Sequence, residues 1–137
     1  MKDNSTEACK NLLKETGSIL LVDWANEEIP HTLIKAGYIV YSYSPGKYSL
    51  AQLETCDGTE KLHFSKFDQP PTQVDLVYIY RPEAEHPAIV NEHVLPLKAK
   101  ALWLHPPVTS VKTALLAAEY GLTFIEGISI TDVIKNL

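Results

Sequence analysis

Arginine occurs once in these 137 residues, at Arg81, while eleven lysines carry the remaining basic charge. It follows the apolar run "VDLVYIY" and precedes Pro82, where a side chain would reach past the carboxyl end of a strand. A guanidinium in that place can pair bidentately with a phosphate. It can also form an ion pair with Glu83 or Glu85, and the sequence leaves both readings open.

The stretch "LLVDWANEEIP", residues 20–30, poses the opposite problem. It reads as a buried strand passing through a short loop into a helix, the junction at which nucleotide-binding α/β domains hold phosphate. Such a loop wants glycines, so that backbone and anion can approach closely. None occurs between Gly17 and Gly37, and Asp23, Glu27 and Glu28 bring three carboxylates. Glu27 and Glu28 complement the positive end of the helix themselves and compete with an anion. The bland reading is a capped helix start with no ligand.

The remaining candidates lie on the same expected rim. The second strand ends in Tyr43 and Ser44 before Pro45. A serine cannot grip a ribose diol as the usual acidic residue does, which argues against an NAD oxidoreductase. His105 ends the fifth strand before Pro106 and Pro107; a lone histidine there is more often structural than catalytic. His86 and His93, seven apart, fall nominally on one helical face, but no third metal ligand has a convincing spacing. The tyrosines of "YIVYSYS" and "VYIY" can stack on an adenine ring or simply pack between sheet and helices. Trp103, inside its strand, belongs to the core. No nucleophile elbow, P-loop lysine or cysteine–histidine signature occurs.

These residues need a scaffold, and the order of elements supplies one. Ser5 is a candidate cap for a first helix closed by Gly17. Ile19 to Val22 form a first strand, and Glu27 to Ala36 a helix stopped by Gly37. Tyr38 to Tyr43 form a second strand, halted by Ser44-Pro45-Gly46. Residues 46–61 read as irregular, with "KLHF" a short third strand. "VDLVYIY" is the fourth, followed by a helix over Glu83 to Leu97 that Pro87 limits. "KALWLH" is the fifth, and Thr109 or Ser110 caps the helix after it. "LTFIE" is the sixth, and Ile130 to Asn136 a last helix. Strands alternating with helices over short connections predict a mostly parallel sheet of five or six strands, covered on both faces.

Composition narrows the partners. The length suits one domain, residues 1–137, and 45% apolar residues suffice for a core. A net charge of −5 without a basic run argues against nucleic acid and anionic membranes. Cys9 and Cys56 show no pairing or metal-ligand spacing, and "MKDNSTEA" has no apolar core for a secretory signal. The apolar runs are too short to span a bilayer. The expectation is a soluble, cytoplasmic protein whose partner is a small molecule. Oligomeric state is not legible.

The stretch "VDLVYIYRPEAEHPAIVNEHVLPLKAKALWLHPPV" resembles the centre of the small bacterial CoA-binding domain proteins, relatives of the amino-terminal domain of the succinyl-CoA synthetase alpha subunit. A "VD-V-v-FR-pe" strand end and a "KalW-q-GV" strand recur there in this order. The likeness runs from about Thr6 to Asp132. It implies a Rossmann-like three-layer sandwich that holds CoA across the strand ends, usually without known catalysis. By the same resemblance Arg81 and Pro82 match the family's arginine and the residue after it. Ser44 and Pro45 match an Asn-Pro, His105 a glutamine, and Pro107 a glycine. Asp23, Trp24 and Ala25 fall where the family has a Gly-small-Ser loop, and Ser129 replaces a common cysteine.

The reading is a non-catalytic CoA or adenine-nucleotide binder with a glycine-free phosphate loop. Trp24, Ala25, Asn26, Ser44, Pro45, Arg81, Pro82, His105 and Pro107 are its candidate contacts. In it Arg81 serves a phosphate, the Ser44-Pro45 turn shapes the adenosine site, and Asn26 assists. The alternative is a divergent member that has lost CoA and binds another small molecule or a protein. An enzyme would need a nucleophile-and-base pair that the sequence does not display.

Overall fold

The computed structural model describes residues 6–44, 47–67 and 69–137. Ser5, expected to cap the first helix, and Pro45 and Gly46, expected in a turn and at the site, lie outside the described residues.

Helix α1 (Thr6–Glu15) leads into strand β1 (Ser18–Val22), whose four apolar residues are all buried. Successive strand side chains face opposite sides. Ile19 and Leu21 therefore enter one core, and Leu20 and Val22 another. This is why the run is apolar without alternation: the strand is covered twice. Helix α2 (Glu28–Lys35) and strand β2 (Ile39–Ser44) follow. After them come β3 (Lys47–Cys56), β4 (Thr59–Phe67) and β5 (Leu76–Ile79).

A broken helical connection succeeds β5: a 3₁₀ turn at Glu83–Glu85, helix α3 (His86–Ile89), and a π-helical turn at Val90–Val94. The chain ends with β6 (Ala101–Leu104), α4 (Val111–Glu119), β7 (Thr123–Ile125) and α5 (Ile130–Lys135).

The sheet has seven strands in the order β4-β3-β2-β1-β5-β6-β7. From β2 through β7 the neighbours run parallel, while β3 and β4 are antiparallel additions at one edge. Helices α1, α2 and α5 bring Cys9, Leu13, Ile29, Leu33, Ile130 and Val133 against Ile19, Leu21, Tyr78 and Trp103 on one face. Ile89, Val90, Val94 and Ala117, from α3, the π turn and α4, cover Leu20, Val22, Ile79 and Leu104 on the other. The architecture is a Rossmann-like three-layer α/β sandwich. Trp103 is fully buried, its indole N–H donating to the Ile128 carbonyl at 2.9 Å.

Three expectations are corrected. Of residues 46–61, expected to be irregular with one short strand, the described 47–61 belong to the long β3–β4 hairpin, which raises the strand count to seven. Its turn is Asp57-Gly58, with φ of 52° and 77°, both in the left-handed region that two-residue hairpin turns require. The helix expected over Glu83–Leu97 is not regular. Pro87 lacks an amide donor, and the segment passes through three helical geometries. As a result His86 and His93 do not share a face. His86 bonds Thr113 of α4, whereas His93 bonds Tyr48 of β3.

Strand order reverses beside β1. The chain leaves β1 for β2 on one side and later returns to place β5 on the other. A crevice therefore opens at the carboxyl ends of β1 and β5, where Asp23 and Arg81 stand.

Candidate functional site

Asp23 follows the last residue of β1 with φ of 66°, a left-handed conformation that favours glycine but that aspartate tolerates better than most residues. One carboxylate oxygen accepts the Trp24 amide at 2.8 Å. The other accepts Nη1 of Arg81 at 3.1 Å. The resemblance placed a glycine-bearing loop here. In this chain Asp23 makes the left-handed turn and aims a carboxylate across the crevice.

Arg81 is held from a second side. Its Nε and Nη2 donate to the Glu85 carboxylate, Nη2 at 2.7 Å. Glu85, and after it Asp23, push the guanidinium above its ordinary pKa, and Arg81 in turn holds the Glu85 carboxyl below the usual value. Beneath it, fully buried His86 fixes the Arg81 backbone. Nε2 of His86 donates to the Arg81 carbonyl at 2.9 Å, and in the neutral ring Nδ1 accepts the Thr113 hydroxyl at 2.7 Å.

A cleft of about 300 Å³ opens beside this pair. Val22, Trp24, Tyr43, Ile89 and His93 give it apolar and aromatic walls, and Asp23, Arg81, Glu85 and Glu92 its charges. The Tyr43 ring lies 4.2 Å from that of His93 and 5.1 Å from that of Tyr48. Burial raises the Tyr48 pKa and lowers that of His93. The Tyr48 hydroxyl lies 2.6 Å from His93 Nδ1, and in the neutral ring with its proton on Nε2 the phenol donates to it. Trp24 stacks on Phe64 of β4, with centroids 5.2 Å apart. A second cleft, about 360 Å³, is lined by Tyr80, Pro82 and Val108 and again by Asp23 and Arg81. The Asp23–Arg81 pair is thus the wall shared by two clefts.

The expected site residues do not all converge. Trp24 and Arg81 line the first cleft, and Arg81 and Pro82 the second. Asn26 and His105 line a third cavity of about 160 Å³, shared with Tyr78, Ser129 and Thr131 from the α2–α5 side. Asn26 lies just before α2, its Oδ1 accepting the Glu28 amide at 3.0 Å. His105 Nδ1 is bonded to the Tyr78 hydroxyl, and Tyr80 packs edge-on against the ring. Burial lowers the His105 pKa, and burial with Tyr80 raises that of Tyr78. Ala25 and Pro107 are exposed and line none of these three cavities. Ser44 pairs with Lys47 at the hairpin start.

Sequence reasoning passed over Glu92, weighed His93 only as a metal ligand, and named Tyr43 only among tyrosines able to stack on an adenine ring. Tyr43 was recoverable: in parallel register with Val22, it shares that residue's face. Glu92 and His93 reach the cleft from the π turn, which leaves no simple periodic signal. Among the described residues, no group of three or more His, Cys, Asp or Glu is placed to hold a metal ion. No helix of the described residues is long and apolar enough to cross a membrane.

An open α/β sheet with its crevice at the strand-order reversal defines a ligand-binding Rossmann-like domain. The family model described as "CoA binding domain" matches residues 16–131, and the chain belongs to that family. Two solved structures share the fold. Prb, titled as PH1109 protein redesigned for binding, superposes with a TM-score of 0.75 at 19% identity, over 100% of this chain and 94% of its own. Cell-free ID.343 from Thermus thermophilus gives 0.70 at 17%, over 96% and 98%. No curated protein matches the chain.

Proposed function

We propose that this chain is a non-catalytic binding protein for CoA or a related adenine nucleotide, and that the ligand lies along both clefts with its phosphates across Arg81. The observation that carries the reading is the shared wall. Releasing Asp23 from Arg81 joins two clefts of about 300 and 360 Å³ into one groove suited to an elongated ligand. The faces of Tyr43 and Trp24 offer a purine apolar contact. Arg81 then exchanges the carboxylates of Asp23 and Glu85 for phosphate oxygens, a like-for-like replacement of charge-assisted bonds.

One observation favours the alternative, a member that has lost CoA and binds another small molecule or a protein. The first cleft has Asp23, Glu85 and Glu92 against Arg81 alone, a balance that opposes a polyanion. A thermal-denaturation titration with CoA separates the two. The first reading expects a higher melting temperature with CoA, by mass action on the folded state, and loss of that gain in Arg81→Ala. An unchanged melting temperature at millimolar CoA supports the alternative.

A further inference from the structure

Helix α4 packs inward through Thr113 and Ala117, which are buried, yet its outer side is apolar as well. Val111 is 76% exposed and Leu115 67%, and Ala118 is exposed too. Spaced by four and then three residues, they form one line along the helix. Water gains nothing from two large aliphatic side chains so placed.

Lys112 and Glu119 flank this line along one edge, two helical turns or about 10.5 Å apart. Both are exposed, and neither has an ion-pair partner among the described residues. They bracket Leu115 almost evenly. If α4 meets a copy of itself antiparallel, about a two-fold axis near Leu115, like edges come together. Lys112 of each copy then faces Glu119 of the other, Leu115 meets Leu115, and large Val111 lies nearest small Ala118. A parallel pairing brings opposite edges together and leaves Lys112 and Glu119 on the outer sides of the seam without each other. The pattern is complementary to itself in one direction only.

We infer that the outer face of α4 is a homodimer contact in which two copies pair antiparallel through Val111, Leu115 and Ala118, with reciprocal Lys112–Glu119 bridges. One nine-residue helix per side makes a small interface. Association is therefore weak, reversible and concentration-dependent.

Sedimentation velocity from low micromolar to near-millimolar protein tests this. The native chain is expected to pass from monomer to dimer across that range, and Leu115→Asp to stay monomeric with an unchanged circular-dichroism spectrum. Lys112→Glu alone and Glu119→Lys alone should each weaken the dimer about tenfold, because each sets like charges opposite one another twice. The double variant should regain native affinity, since the reversed pairs are again complementary. A monomer at every concentration overturns the inference. So does a dimer indifferent to Leu115→Asp, or a double variant no better than the singles.

Discussion

Asp23 and Arg81 sit at the ends of neighbouring parallel strands and touch across the point where strand order reverses, carboxylate oxygen to Nη1 at 3.1 Å. The residue that makes the left-handed turn after β1 is also, with Glu85, a counter-ion of the chain's single arginine. The junction after β1 thus carries an internal anion at the crevice.

Asp23→Gly should therefore raise affinity for CoA, by about tenfold if one charge-assisted contact to Arg81 is freed. Stability should change little. Glycine relieves the left-handed backbone but loses more chain entropy on folding, and each effect is about 1 kcal/mol or less. Asp23→Ala removes the same carboxylate while keeping a Cβ at φ of 66°, and should melt lower than the glycine variant. Calorimetric titration with CoA alongside thermal melts of both variants checks the two halves. An Asp23→Gly protein that binds no better would assign the obstacle to the loop's shape.

Glu85 predicts an acid-side signature. Arg81 holds its folded pKa below the ordinary carboxyl value of 4.5, so its contribution to stability is fully present above about that pH. It is lost as pH falls through the depressed value. In urea unfolding, native protein should exceed Glu85→Gln by a constant margin above pH 5, and the two curves should converge as pH falls through the depressed value. A margin that persists into strong acid would mean that Glu85 stabilises by packing rather than charge.

The core layers were legible because their signal is dense. Runs such as "SILLV" and "ALWL" bury residues on both faces and admit little but central parallel strands. Short caps such as Ser110, whose Oγ accepts the Thr113 amide at 3.0 Å, carried their own chemistry. The site was legible only where it hangs directly on strand ends. Arg81 and Trp24 fall in the cleft for that reason, whereas His105 turns to the opposite face, where Tyr78 takes its Nδ1. Glu92 and His93 depend on a π turn after Pro87. The hairpin was missed for a different cause: its strands are largely polar, and the Asp57-Gly58 signal between them was the one strong cue.

That cue gives a prediction. No atom lies within 4 Å of a Cβ built on Gly58, so a substitution there meets conformational strain and no clash. Gly58→Val should cost about 1–2 kcal/mol through the positive φ alone. Hydrogen exchange should speed first at β3 and β4 amides, while β1 and β5 keep their protection. Uniform loss of protection would instead make the hairpin part of the cooperative core.

Tyr48 and His93 offer a test inside the first cleft. The phenol donates to Nδ1 at 2.6 Å, which stabilises the neutral imidazole, and burial already lowers the ring's pKa from 6.5. A histidine depressed in the folded state contributes stability above its unfolded pKa, and that contribution is lost as pH falls through the folded value. Tyr48→Phe removes the donor without removing the ring. It should cost about 1 kcal/mol for the lost hydrogen bond. It should also move the His93 pKa upward toward 6.5, since the neutral form loses its partner and the charged form does not. Imidazole proton shifts followed by NMR from pH 4 to 8 read this directly. A downward move would mean that the ring donates to the phenol oxygen, which requires the other tautomer and a different wall to the cleft.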